Sequence, residues 1–126
     1  MDDLYREIIL DHYKHPHNAG EISHPSCSAE KVNPLCGDEI RMDIVINNDK
    51  VTAIKFSGQG CAISIASASL LTEYSMGKKI KDLLRFSKDD IVDLLGSELT
   101  PARLKCALLS LEVIHTALKN YETKKT

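Results

Sequence analysis

Cys36 and Asp38 stand two residues apart in the run Asn33-Pro34-Leu35-Cys36-Gly37-Asp38. Pro34 stiffens this turn and Gly37 lets it bend. A thiol and a carboxylate on one turn make half of a metal site, so the other donors must come from distant sequence. Cys61 closes the run Ser57-Gly58-Gln59-Gly60-Cys61 immediately before a predicted helix. Backbone N–H groups and the helix dipole favour a thiolate there, and the glycines let a ligand or another backbone approach. Cys106 falls in the early turns of another predicted helix, next to Lys105 and three residues after Arg103. Those two charges favour a thiolate, although a helical cysteine near Leu104 and Leu108 also fits a core. Cys27 follows His24-Pro25-Ser26 in a strand-like segment with no ligand-like neighbour and is left out. His12, His15, His17 and His24 resemble a metal cluster only by number. Their places on a helix face, beside a proline and before a turn predict solvated or capping roles.

Three thiols and a carboxylate suit zinc, and thiolates equally hold iron-sulfur clusters. A carboxylate in place of a fourth thiol is a hard ligand in a soft site, which eases release of a bound cluster. Spacing does not choose between the two. No CxxC is present, so nothing local marks a zinc finger or a thiol-disulfide oxidoreductase, and any site is assembled by the fold.

The elements that must do this fit a single domain spanning residues 1–126, of soluble globular composition with 43% hydrophobic and 27% charged residues. A formal net charge of -2 gives no electrostatic footprint for nucleic acid. No secretory signal and no membrane-spanning run is read, so the expected compartment is cytoplasmic, where thiols stay reduced.

Leu4, Tyr5, Ile8, Ile9, His12 and Tyr13 keep helical spacing behind Asp2 and Asp3, predicting an amphipathic helix that ends before Pro16. A strand is expected from Cys27 to Val32. Ile40, Met42, Ile44 and Ile46 alternate with Glu39, Arg41, Asp43 and Val45 in a second. After the turn at Asn47-Asn48-Asp49 a third runs from Val51 to Ser57, with Thr52, Ile54 and Phe56 on one side. Three successive strands imply an antiparallel meander with helices on its apolar face. Small residues from Ala62 to Leu71 suit a helix packed close to the sheet, with Gly77 as its cap. Two short helices follow at 80–86 and 91–95, the second introduced by a capping box of Ser87 and Asp90 and ended by Gly96. Thr100 as cap and Pro101 at the first position start the longest helix, buried through Leu104, Leu108, Leu111, Ile114, Ala117 and Leu118. Residues 119–126 are polar and expected to fray.

These residues together resemble the IscU/SufU group of iron-sulfur assembly proteins, called NifU-like at their N-terminal domain. The resemblance rests on Leu4-Tyr5-Arg6 with Asp11-His12-Tyr13-Lys14, on Asn33-Pro34 with Cys36-Gly37-Asp38, and on Gly58 with Gly60-Cys61 and Ser67-Ala68-Ser69. It closes with Pro101-Ala102-Arg103 and Lys105-Cys106. It implies an α+β fold, a three-stranded antiparallel sheet with helices packed on it and a long C-terminal helix. It also implies that Cys36, Asp38, Cys61 and Cys106 converge. Lys105 stands where IscU-type scaffolds carry His, as in the SufU-type. The SufU-type, however, carries an insertion between its second and third cysteines that this chain lacks. Leu99-Thr100-Pro101-Ala102-Arg103 departs at three positions from the Leu-Pro-Pro-Val-Lys chaperone-binding motif of IscU-type proteins, so a chaperone partner is not implied.

Two mechanisms follow from the resemblance. One is a non-enzymatic scaffold on which a transient [2Fe-2S] cluster forms from desulfurase-delivered sulfur, with Asp38 as the labile ligand, and passes to apo-proteins. The other is a zinc-dependent sulfurtransferase in which Cys106, helped by Lys105 and Arg103, accepts persulfide sulfur from a cysteine desulfurase. A structural zinc module is a third reading and predicts unfolding on chelation.

Overall fold

The computed structural model describes residues 3–34, 37–96 and 99–125. Helix α1 (Asp3–Lys14) is followed by strands β1 (Cys27–Asn33), β2 (Asp38–Asn47) and β3 (Lys50–Gln59). Helices α2 (Ala62–Ser75), α3 (Ile80–Leu84), α4 (Lys88–Leu95) and α5 (Pro101–Lys125) complete the order. The strands form one antiparallel sheet in the order β1-β2-β3. The predicted class, α+β with a three-stranded meander and a long last helix, is the observed one.

Alternation in β2 does what its period requires: Ile40, Met42 and Ile44 are fully buried beneath α2 and α5. β3 departs from its predicted facing. The register shifts so that Val45 pairs with Ala53 while Ile46 pairs with Val51, leaving Thr52 as the extra residue of a bulge. Val51, rather than Thr52, therefore joins Ile54 and Phe56 in the core. Asp43, expected on the wet face, is also buried, and its carboxylate accepts from the Ile22 N–H at 3.0 Å, Ser28 Oγ at 2.8 Å and Arg41 Nε at 3.2 Å. Burial alone would raise its pKa, but these bonds and the Arg41 charge outweigh it, and the carboxyl sits below its ordinary value.

Helix α2 is the centre of the molecule. Ala66, Ala68, Ser64, Ser67 and Ser69 are all buried, and these small side chains let α2 press against the sheet, α1 and α5 together. Gly77 takes the left-handed conformation expected beyond the helix, φ +79°, but its N–H donates to Val51 O on β3 rather than closing α2. The Ser87–Asp90 capping box forms in both directions, and Gly96 caps α4 at φ +76°. Helix α5 stays helical to Lys125, past the point where fraying was expected, because Tyr121 packs against the core a turn beyond the buried Leu118. Among the described residues no helix is long and apolar enough to cross a membrane.

Candidate metal centre

Three elements meet at one end of the sheet. Asp38 opens β2, Cys61 is the N-cap of α2 at φ -70° and ψ 169°, and Cys106 lies in the second turn of α5. One oxygen of Asp38 and the sulfurs of Cys61 and Cys106 all lie within 4.8 Å of one another. This separation suits a single tetrahedral ion with Zn–S near 2.3 Å after small side-chain movements, so the donor set fits zinc or one edge of a cluster. Cys36 lies outside the described residues. Its loop neighbours Asn33 and Gly37 are joined by a bond from the Gly37 N–H to Asn33 O, 2.8 Å, with Gly37 at φ +72°, as the bend predicted.

Asp38 is 1% exposed, and a carboxylate so placed requires donors. The Cys61 N–H donates to Oδ1 at 3.0 Å, and Ser64 Oγ donates to Oδ2 at 2.6 Å. Cys61 Sγ is 3.9 Å from Oδ2 and accepts the Ser64 N–H at 3.5 Å, closing the first turn of α2. Ser64 thus touches both Asp38 and, at 3.3 Å, the carbonyl of Cys106. It is the residue that sequence reading missed. Its signal was position alone: three residues after the helix-capping Cys61, the place from which a side chain reaches back.

The glycines before Cys61 have separate tasks. A Cβ on Gly60 would lie 2.8 Å from Asp38 Oδ1, so the missing side chain is the space the carboxylate occupies. A Cβ on Gly58, at φ +136°, would fall 2.0 Å from Glu39 O on the paired strand. Close approach was the predicted use of both.

Cys61 is exposed while Cys106 is only 9% exposed, so Cys106 is at once core residue and site residue. Both line a cleft of about 690 Å³ with Arg6, Leu10, Arg103 and Lys105, the last two on the exposed face of α5. Cys27 lies apart, buried beneath the end of α5, and burial pushes its thiol up to about 11 despite nearby Lys124. Leaving it out of the set agrees with that placement. The histidines do not all follow expectation. His12 is buried, bonded through Nδ1 to Ser69 Oγ at 2.7 Å, and its pKa is lowered chiefly by burial and then by His17.

The sequence profile of the NifU-like N-terminal domain matches residues 4–126. The chain is 39% identical to the zinc-dependent sulfurtransferase SufU of Bacillus subtilis, covering 97% of this chain and 94% of that one. It is 37% identical to the iron-sulfur cluster assembly scaffold protein IscU of Aquifex aeolicus, covering 99% and 80%. The SufU alignment spans 139 positions, more than the 126 residues here, whereas the IscU alignment spans 127. Extra residues therefore stand in SufU opposite gaps in this chain. Among solved structures, a SUF-system assembly protein from Fervidobacterium islandicum AW-1 superposes with a TM-score of 0.76 at 29% identity, over 89% of this chain and 94% of that one. The N-terminal NifU-like protein of Brucella abortus gives 0.78 at 20% identity, over 98% and 97%, a likeness of fold alone. With its profile match, its sheet of three antiparallel strands and Asp38, Cys61 and Cys106 gathered at one end of that sheet, the chain belongs to the NifU-like N-terminal domain family.

Proposed function

We propose that this protein is an iron-sulfur cluster assembly scaffold, on which a [2Fe-2S] cluster is built as cargo and then released to apo-proteins. The observation that supports it most is the meeting of Asp38, Cys61 and Cys106, with the two cysteines lining an open cleft. Cys36 on the adjoining loop supplies the fourth ligand in this reading. Two soft sulfur donors and a buried carboxylate held by Ser64 give a site that binds iron and sulfide yet lets one ligand go. Sulfur arrives from a cysteine desulfurase, and an external electron donor reduces it to sulfide. Cys27 and Cys61 are free thiols, which suits a reducing, cytoplasmic setting.

Lys105 before the last cysteine and the 39% identity to SufU favour a second reading, zinc-dependent sulfur transfer. Asp38, Cys61, Cys106 and Cys36 would hold the zinc, which masks the thiolates until the desulfurase engages. Cys106 Sγ then attacks the terminal sulfur of the enzyme's persulfide: a bond forms between the two sulfurs, the enzyme's own S–S bond breaks, and its cysteine leaves as thiolate. Arg103 and Lys105, at the cleft rim, stabilise the incoming anionic persulfide. The shortness of this chain relative to the SufU alignment favours the scaffold.

Anaerobic reconstitution with iron, a desulfurase, cysteine and a thiol reductant that converts persulfide sulfur to sulfide tests the choice. A visible-absorbing cluster that passes to an apo-ferredoxin supports the scaffold. Zinc retained throughout, with desulfurase turnover stimulated and no cluster formed, overturns it in favour of transfer.

A further inference from the structure

A second group of metal-binding side chains lies along α2 from the cysteines. His12 on α1, His17 in the connection that follows, and Glu73 on α2 each offer a ligating atom within 4.8 Å of the other two. His17 Nδ1 contacts Glu73 Oε2 directly, and the rings of His12 and His17 lie 4.6 Å apart between centroids. The group is held from several sides. Ser69 Oγ, fully buried, accepts the His17 N–H at 2.8 Å and is bonded to His12 Nδ1 at 2.7 Å. Asn18 Nδ2 donates to Thr72 Oγ1 at 3.3 Å, while the Phe56 N–H donates to Asn18 O and the Gly20 N–H to Phe56 O. The segment carrying His17 is thus fastened to both α2 and the free edge of β3.

We propose that His12, His17 and Glu73 form a second divalent-metal site, taking an ion of zinc-like chemistry with two imidazoles and one carboxylate. A metal-binding histidine gives its other ring N–H to a fixed acceptor, and Ser69 Oγ fills that role for His12, leaving Nε2 as the ligand. His12 forms the buried floor, and the side chains of His17 and Glu73, 50% and 54% exposed, form an open mouth where water completes the coordination. Nitrogen and oxygen donors make this site harder than the thiolate one, so the two differ in the spectra of the ions they hold. The bound ion ties α1 to α2. This inference does not depend on the assembly function.

The test uses the full chain and Co²⁺ as an optical probe, followed by Zn²⁺ competition. Wild type is expected to bind cobalt in two spectral components, one with sulfur-to-cobalt charge transfer and one with ligand-field bands only. His17→Ala and Glu73→Gln, both at half-exposed positions, should remove the second component and spare the first. Ser69→Ala should weaken the second component by about tenfold without abolishing it, as loss of an orienting partner does. In a Cys36→Ser, Cys61→Ser, Cys106→Ser variant, Zn²⁺ should still raise the melting temperature, and adding His17→Ala should cancel the rise. Cobalt spectra unchanged by His17→Ala in the wild-type background, or charge-transfer character in all bound cobalt, would overturn the proposal and leave an ordinary histidine-glutamate pair.

Discussion

Ser64 Oγ, in the first turn of α2, donates across 2.6 Å to Asp38 Oδ2, at the start of β2, and both residues are at most 1% exposed. A hydrogen bond to a buried charge is among the stronger kinds, and its loss leaves the carboxylate underdetermined. Ser64→Ala is expected to cost about 2 kcal/mol of stability in chemical denaturation. It should also shorten the retention of metal, followed by chelator competition. Unchanged retention would remove Ser64 from the site.

Asp38 itself sets release in the scaffold reading. Asp38→Ala should keep the fold by circular dichroism and yield a cluster that transfers more slowly to an apo-acceptor, timed by visible absorption. Loss of cluster binding with the fold intact would contradict its role as the labile ligand.

The two glycines before Cys61 separate fold from site. Gly58→Ala sets a methyl 2.0 Å from the Glu39 carbonyl at φ +136° and should destabilise by about 3 kcal/mol or more, because backbone on both strands must move. Gly60→Ala meets the buried Asp38 side chain instead, so denaturant midpoints should fall less than for Gly58→Ala while zinc retention drops further. Equal effects of the two variants on both measurements would refute the division.

Sulfur transfer makes unlike demands on two buried cysteines. Cys106→Ala should abolish any stimulation of desulfurase turnover. Cys27→Ala should leave it intact, because burial holds that thiol near 11 and away from the cleft. Turnover assays with both variants decide it.

Acid should weaken the packing of α3 on α5. His115 Nε2 is bonded to Leu83 O at 2.9 Å, and its pKa is lowered, chiefly by burial, with Lys119 adding to the effect and the Leu83 carbonyl opposing it. The neutral ring is the folded form. Its contribution is therefore fully present above the unfolded value of about 6.5 and is lost as pH falls through the lower folded value. Denaturant midpoints measured from neutral pH downward should fall in that window, and His115→Gln should flatten the decline.

Local chemistry determined much of this protein. The period-two pattern of Ile40 to Ile46, the turn at Asn47-Asn48-Asp49, the Ser87–Asp90 box and Thr100-Pro101 each act within a few residues, so the order of strands and helices was readable before any folding. The run around Cys36 and Asp38 and the glycines before Cys61 likewise announced a site. Tertiary structure decided what spans the chain. It turned Val51 inward through the bulge at Thr52, a matter of strand register. It buried His12 and Asp43, which sequence placed in solvent, because other segments supply their hydrogen-bond partners. It also set Ser64 against Asp38 and brought Cys61 and Cys106, 45 positions apart, to a single carboxylate. No spacing encodes that meeting. It follows from the packing of α2 and α5 on one sheet, where small side chains on α2 let three chain segments reach the same few ångströms.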